Sequence, residues 1–458
     1  MKHTFDALII GAGQAGPSLA RRLASTGQKV AIVERKLFGG TCVNTGCTPT
    51  KTMVASAHAA HLARRGNDFG VHAGPVAVDL RAVMTRKDRV VADSRNGVEK
   101  GLRTAENCTV FTGTASFESP HTMRVGDDIL EGSQIFLNVG ARPLIPDMPG
   151  VPSVPFLTST TILDLKELPP HLVVVGGGYV GLEFAQMFRR FGSQVTVVDK
   201  NPRLASHEDP DASAVIHEFL ASEDIRIRTN ATCIHLEQEK GRISVGLKCD
   251  EDAPHVEGSH VLLAVGRVPN TDDLNLAVAG ITPDAHGFIP VDDQLRTTVA
   301  HIFALGDCNG RGAFTHTSYN DYEIVAANLI DNASRKVSDR IPAHALYTDP
   351  PLANIGMTEE EVRRSKRPTL VGKRPMTRVS RAIEKGETFG FIKVLVDAES
   401  QKILGATIIG PGADEAIHCI LTAMYARQPA SLLTHSVHIH PTVAELIPTV
   451  LEDLKPLT

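Results

Sequence analysis

Phe5-Asp-Ala-Leu-Ile-Ile-Gly-Ala-Gly-Gln-Ala-Gly16 opens the chain as an apolar strand running into a Gly-x-Gly-x-x-Gly turn. Ser18 to Leu23 then begins a helix, and Lys29 to Val33 reads as a second apolar strand. Gly11 permits the tight turn, Gly13 lets a pyrophosphate approach the backbone, and Gly16 lets helix and strand pack closely. The helix N-terminus adds amide donors and a dipole that favours phosphate. Glu34 ends the second strand, where a ribose-binding acid belongs. The pattern returns 165 residues later in His171-Leu-Val-Val-Val-Gly-Gly-Gly-Tyr-Val-Gly181, which carries Gly176, Gly178 and Gly181. Val195 to Val198 forms its next strand, closed by Asp199. One such turn alone marks only a tight strand–helix junction. Two, each with strand, helix, strand and terminal acid, predict an α/β chain with two Rossmann-like units for two different dinucleotides. Asp199 would accept hydrogen bonds from a ribose 2′-hydroxyl and repel a 2′-phosphate, which favours NAD(H) over NADP(H). Lys200 and Arg203 lie close enough to weigh the other way.

The rest of the chain fits an ordinary globular protein. Its 458 residues suggest about three domains, and 42% hydrophobic with 22% charged residues supply a sizeable core. Lys plus Arg is 47 against 52 Asp plus Glu, a net charge of −5, which argues against nucleic acid as a partner. No apolar run reaches the roughly 18 residues of a membrane span. Asp6 interrupts the N-terminus, so it does not read as a signal peptide, and the expected location is cytoplasmic.

Seven cysteines are too few and too scattered for a disulfide scaffold. Only Cys42 and Cys47 are close, in Gly39-Gly-Thr-Cys-Val-Asn-Thr-Gly-Cys-Thr-Pro-Thr-Lys51. Thr48 to Arg65 looks helical, with Pro49 tolerable in the first turn. The glycine-containing spacer can fold so that the two sulfurs meet, and a thiolate at a helix N-terminus ionises easily. A zinc site would want two more ligands at short spacing, and none follow. Cys108, Cys233, Cys249, Cys308 and Cys419 read as packing or surface residues. Near the C-terminus, in His435-Ser-Val-His-Ile-His-Pro-Thr-Val-Ala-Glu445, Pro441 suits a first helical turn. That leaves His440 just before the helix and Glu445 one turn inside, where it could orient the imidazole as a proton shuttle. An ordinary surface histidine, or a metal site using His435, His438 and His440, is the alternative.

Together these residues resemble the pyridine nucleotide-disulfide oxidoreductase family, on the side of dihydrolipoamide dehydrogenase, glutathione reductase and mercuric reductase. The resemblance runs from Phe5 to about Leu454. It implies a homodimer in which residues 1–148 and 268–338 form an FAD domain, 149–267 an NAD(P) domain, and 339–458 a C-terminal α+β dimerisation domain. By the resemblance, FAD would be held by Gly11, Gly13, Gly16, Glu34, Gly40, Thr41, Lys51, Gly140, Gly306 and Asp307. Ile302-Phe-Ala-Leu-Gly-Asp307 is similar to the family's second flavin motif. The nicotinamide nucleotide would meet Gly176, Gly178, Tyr179, Gly181, Glu183, Asp199 and Gly266. Lys51 and Glu183 match a lysine–glutamate pair beside the flavin, and Tyr179 matches a residue that can cover the nicotinamide pocket. Asn138-Val-Gly-Ala-Arg-Pro and Ala264-Val-Gly-Arg-Val-Pro-Asn resemble the two crossings between the nucleotide domains. Asn138 and Val139 depart from the family pattern, at a position expected to carry no chemistry. The implied reaction passes a hydride from NADH through FAD to a Cys42–Cys47 disulfide. It leaves Cys47 as thiolate and Cys42 as the outward nucleophile, with His440 and Glu445 serving the partner chain's pair.

Substrate expectations follow from what is absent. Cys419 is the last cysteine, 39 residues before the end, so the C-terminal pair that carries mercuric ion in a mercuric reductase is missing. Asp199 and Gly181 are wrong for a glutathione reductase. The leading expectation is therefore a dihydrolipoamide dehydrogenase-like activity on a small disulfide or dithiol, with a lipoyl-bearing protein as possible partner. The Val437–Leu451 stretch looks closer to the mercuric-reductase-like branch, where metal ions or small oxidants are reduced in stress defence. A low-turnover, FAD-bound redox sensor is the alternative from another class. No resident metal is expected.

Overall fold

The computed structural model describes residues 1–239, 241–248 and 254–457. Cys249 lies outside the described residues. The first glycine turn sits at the C-terminal end of a seven-stranded sheet. There Lys2–Ile10 runs parallel to Val30–Glu34 on one side and to Asp128–Leu137 on the other. Over residues 7–10, 30–33 and 135–137 these strands are apolar and buried on both faces, as parallel strands covered by helices must be. The Gly16–Ala24 helix covers one face through Leu19, Ala20 and Leu23, all fully buried. A late strand, Ile302–Ala304, pairs parallel with the C-terminal half of Asp128–Leu137. Residues far along the chain thus complete the first sheet.

The second glycine turn tops a four-stranded parallel sheet in the order Arg226–Arg228, Gln194–Val198, His171–Val175, His260–Leu263. An antiparallel three-stranded meander spans His235–Glu239, Arg242–Gly246 and His255–Gly258. The outward and returning crossings meet as an antiparallel ribbon of Ala141–Pro143 with Arg267–Pro269. After Ala343 the chain switches to a six-stranded antiparallel sheet, with the Ala413–Tyr425 helix packed on it.

Two features fix these units relative to each other. One apolar cluster joins Met53 and Ala57 of the Cys47–Arg64 helix to Leu182 and Phe184 of the Tyr179–Phe191 helix and to Leu346 and Leu352 of the third sheet. Buried ion pairs reinforce it. Lys393, 1% exposed, donates to Asp209 at 2.8 Å and to Asp211 at 2.9 Å. Arg190 bridges Glu223 at 2.7 Å and Asp349 at 2.6 Å. Removing one partner of such a pair strands a buried charge, at about 3–5 kcal/mol. Among the described residues no helix is long and apolar enough to cross a membrane.

Candidate active site

The two glycine turns are built alike, and the reason is steric. Gly11 has φ +103°, and a Cβ there would stand 2.3 Å from the Asn138 carbonyl oxygen. Gly176 has φ +116°, with a Cβ 2.4 Å from the Ala264 carbonyl oxygen. In each case the crossing strand runs against the turn, so only glycine fits. Gly16 and Gly181 each back onto the carbonyl of the turn's first glycine, at 2.3 Å and 2.0 Å. Gly13 is approached by Gly40, whose Cβ would lie 2.8 Å from the Gly13 Cα. Thr41 follows Gly40 in a short helix, Gly40–Asn44, that leads to the cysteines. Glu34 accepts from the Ala12 amide at 2.9 Å, which ties the acid to the first turn. Asp199 does the same in the second, accepting from the Gly177 amide and, at 2.6 Å, from the Asn201 amide.

Asn138 has a structural role that the sequence did not show. It is 6% exposed and its Nδ2 donates to the Gly11 carbonyl at 3.2 Å. It therefore braces the first turn from the crossing strand. Gly306 and Asp307 begin a short helix beside it. Burial raises the Asp307 carboxyl above its ordinary range, against the pull of Arg267, 3.8 Å away. Gly140 and Gly178 face open space, and Gly266 keeps a left-handed φ of +133° at the return crossing. Close-approach backbone at both turns and an acid braced beside each fit a flavin dinucleotide along the first sheet, with the half-buried Asp307 beside it, and a nicotinamide nucleotide along the second.

Cys47 is the first residue of its helix, and Cys42 lies on the preceding short helix. Both are free thiols. The hydrogen bond from Cys42 holds the Cys47 thiol down at about 6, opposed by burial and helped by the Thr315 hydroxyl and the Lys51 charge. Cys42 moves the opposite way, pushed well up by its hydrogen bond to Cys47, by burial and by the neighbouring charge. The pair is thus divided, with Cys47 the sulfur favoured as thiolate and Cys42 the one favoured as thiol. Lys51 pairs with Glu183 at 2.5 Å, bridging the Cys47 helix and the helix after the second glycine turn. The second Glu183 oxygen accepts from the Tyr347 amide at 3.0 Å, and the Lys51 ammonium sits 4.4 Å from the Tyr347 ring centre.

Thr315 escaped the sequence reading. Its Oγ1 lies 3.2 Å from the Cys47 sulfur, at the N-terminus of the Thr315–Ile330 helix. Nothing local in Phe314-Thr-His-Thr-Ser signals this, because the contact spans 268 residues. The Thr315→Val variant removes the donor and is expected to shift the pH profile of Cys47 alkylation by iodoacetamide upward in the reduced enzyme. Alkylation at pH 7 should slow, mapped by tandem mass spectrometry to separate Cys47 from Cys42. An unmoved profile would show that the hydroxyl does not stabilise the thiolate.

His440 Nδ1 lies 2.9 Å from Glu445, as the sequence suggested, but the local fold differs. Pro441 does not start a helix: the His440–Pro441 bond is cis, and helical structure begins with a 3₁₀ turn, Ala444–Leu446, before Ile447–Glu452. The Thr442 hydroxyl, just before that turn, accepts from the Glu445 amide at 3.2 Å. Among the described residues no group of three or more His, Cys, Asp or Glu is placed to hold a metal, so the His435, His438 and His440 alternative has no geometric support. One correction concerns Cys233, expected as a packing or surface residue, which is disulfide-bonded.

Comparison with known proteins agrees with this geometry. Residues 5–322 match the pyridine nucleotide-disulphide oxidoreductase family, and residues 342–451 match its dimerisation domain. The chain is 36% identical to the probable pyridine nucleotide-disulfide oxidoreductase RclA of Escherichia coli, over 97% of this chain and 98% of that one. It is 32% identical to a dihydrolipoyl dehydrogenase of Chlamydia muridarum, over 97% and 96% of the two chains. A mercuric reductase of Staphylococcus aureus is 33% identical over 96% of this chain and 81% of its own. Among solved structures, the Cu(II) complex of the HOCl-induced flavoprotein disulfide reductase RclA from Escherichia coli superposes with a TM-score of 0.90 at 34% identity, covering 98% and 99% of the two chains. With two dinucleotide turns, a paired-cysteine helix and the family's dimerisation domain in one chain, this protein belongs to the pyridine nucleotide-disulphide oxidoreductases and is an FAD-dependent enzyme of that family.

Proposed function

We propose that this protein is a homodimeric, NADH-preferring flavoprotein that reduces a small oxidant or a metal ion through the Cys42–Cys47 dithiol. The observation that carries the thiol chemistry is a Cys47 sulfur held as thiolate between Cys42, Thr315 and Lys51. Support for the acceptor comes from RclA, similar along its whole length and solved as a Cu(II) complex of an HOCl-induced enzyme. That favours the stress-defence branch over the lipoyl-linked activity that the sequence put first.

In this reading, residues 1–148 and 268–338 bind FAD, 149–267 bind the nicotinamide nucleotide, and 339–458 form the dimer contact. The pairing of Ile302–Ala304 into the first sheet supports the split of the first domain. The exposure of Val437 and Ile439, at 101% and 81%, supports a partner covering the third. Bound FAD supplies a two-electron relay between nicotinamide and sulfur. Gly11, Gly13, Gly16, Glu34, Gly40, Thr41, Gly140, Gly306 and Asp307 hold it. Lys51, fixed by Glu183, keeps a positive charge beside the Cys47 thiolate. Gly176, Gly178, Gly181, Asp199 and Gly266 seat the nicotinamide nucleotide, with Tyr179 covering the site where its ring enters. Cys42 leads the exchange with substrate, and His440, oriented by Glu445, manages the proton there. Arg203 no longer argues for a 2′-phosphate, because its guanidinium donates to the carbonyls of Ser206 and Glu208 in its own loop.

The test is the steady-state rate of nicotinamide oxidation with Cu(II) or lipoamide as acceptor, run with NADH and with NADPH. Two Cu(II) should become two Cu(I) for each NADH converted to NAD⁺ and a proton, with NADH the better donor and lipoamide negligible. Fast lipoamide turnover would instead make the protein a dihydrolipoamide dehydrogenase. No turnover with either acceptor would favour the redox-sensor alternative.

A further inference from the structure

Tyr179 is the first residue of the Tyr179–Phe191 helix, one turn before Glu183 and so on the same face as the Lys51–Glu183 pair. Its hydroxyl donates to Glu208 Oε1. The same oxygen receives a second donor, His344 Nε2, at 2.8 Å. Glu208 is 2% exposed, and its other oxygen is buried with no hydrogen-bond partner. A buried carboxylate with both its donors on one oxygen holds each of them hard, since losing either leaves charge uncompensated. His344 is itself fixed from the third sheet. It lies on the strand Ala343–Leu346, tilted against the Tyr179 ring at 5.6 Å and stacked on Phe314 at 5.8 Å with 10° between planes. Phe314 directly precedes Thr315, which touches the Cys47 sulfur.

We infer that Glu208 and His344 form a latch that holds the Tyr179 ring in its covering position and so sets how readily the nicotinamide ring reaches the flavin side. The inference rests on the reading above, in which Tyr179 covers the nicotinamide site. Glu208 and His344 act through Tyr179 and are positioning residues. A latched ring lowers the fraction of enzyme open to nicotinamide, and the apparent affinity falls by that fraction. The latch also ties access to the third sheet, because one of its two donors is mounted there.

The experiment uses the FAD-loaded dimer. Tyr179→Phe keeps the ring and removes the donor, His344→Phe keeps the stack on Phe314 and removes the Nε2 donor, and Glu208→Gln keeps an acceptor for Tyr179 and offers its amide to a neutral imidazole. The first two should lower KM for NADH by about 3- to 10-fold with kcat changed less than about 2-fold, the size of one hydrogen bond. Glu208→Gln, which keeps an acceptor but loses the charge that holds both donors, should lower KM in the same direction by a smaller factor. The double variant Tyr179→Phe/His344→Phe should show no more than either single change, because both open one latch. Reduction of the enzyme by a dithiol, which does not pass the nicotinamide site, should be unchanged in all of them. Unchanged or raised KM in both single variants, or effects that multiply in the double, would overturn the latch while leaving the wild-type reading intact. A wild-type enzyme that neither NADH nor NADPH reduces would overturn that reading, and the latch with it.

Discussion

Replacing Cys47 with serine is expected to abolish turnover with whichever acceptor the wild type reduces, by at least about a thousandfold, while the protein still folds and keeps its flavin. The argument begins with charge. Cys47 stands at the start of an 18-residue helix, with the Cys42 thiol, the Thr315 hydroxyl and the Lys51 ammonium all favouring its thiolate. A serine hydroxyl there stays protonated at any usable pH, so neither a disulfide nor a resident anion forms. Cys42→Ser should be as damaging to turnover for a different reason. Its Cys47 keeps a hydroxyl donor and remains anionic, but no second sulfur is present to close the disulfide. Flavin absorbance, the rate of flavin reduction by NADH and the steady-state rate together separate the cases. Both variants should still show the first half-reaction and fail in the second. A Cys47→Ser enzyme with full turnover would remove the pair from the mechanism and leave FAD alone to reduce the acceptor.

What was legible beforehand is what local chemistry dictates. A turn whose Cβ would meet the Asn138 or Ala264 carbonyl must be glycine, so both turns announced themselves, and each was followed by its acid. The cysteine pair was legible because its spacing and the following helix sit in one short segment. Lys51 and Glu183 meet across 132 residues and came only from the family resemblance. Contacts made purely by the tertiary fold left no trace. Thr315 reaches Cys47 from the far side of the second nucleotide unit, and His344 reaches Glu208 across 136 residues from another sheet. Asn138 was set aside because it breaks a family pattern, although its amide braces the first turn. Near His440 the proline was visible, but it does not begin the helix, which starts only at Ala444. Long-range polar contacts are where this sequence was least readable, and they surround the Cys47 sulfur and Tyr179.

His440→Ala is expected to lower turnover by about 10²- to 10⁴-fold, the usual weight of a positioned acid–base group, and to be rescued in a mixed dimer. The His440 side chain is 74% exposed, and Glu445, which holds its Nδ1, is 14% exposed. Among the described residues Nε2 has no hydrogen-bond partner in its own chain, while Val437 and Ile439 beside it stand almost fully exposed. The imidazole is thus aligned from behind and open to a group from outside its own chain. If that is the partner's cysteine pair, chains carrying Cys47→Ser and His440→Ala should complement each other. Co-expressed with two different tags and purified through both, the heterodimer holds one site with both defects. Its other site has intact cysteines from one chain and an intact histidine from the other. It should therefore recover about half the wild-type rate per dimer, where either homodimer is nearly silent. Recovery needs no new contact, only the two-fold arrangement of the dimer. If His440 served its own chain's sulfurs, every site in the heterodimer would carry one fatal change and the rate would stay at the level of the homodimers. Glu445→Gln, which keeps a hydrogen-bond acceptor for Nδ1 but removes the charge, should fall between wild type and His440→Ala.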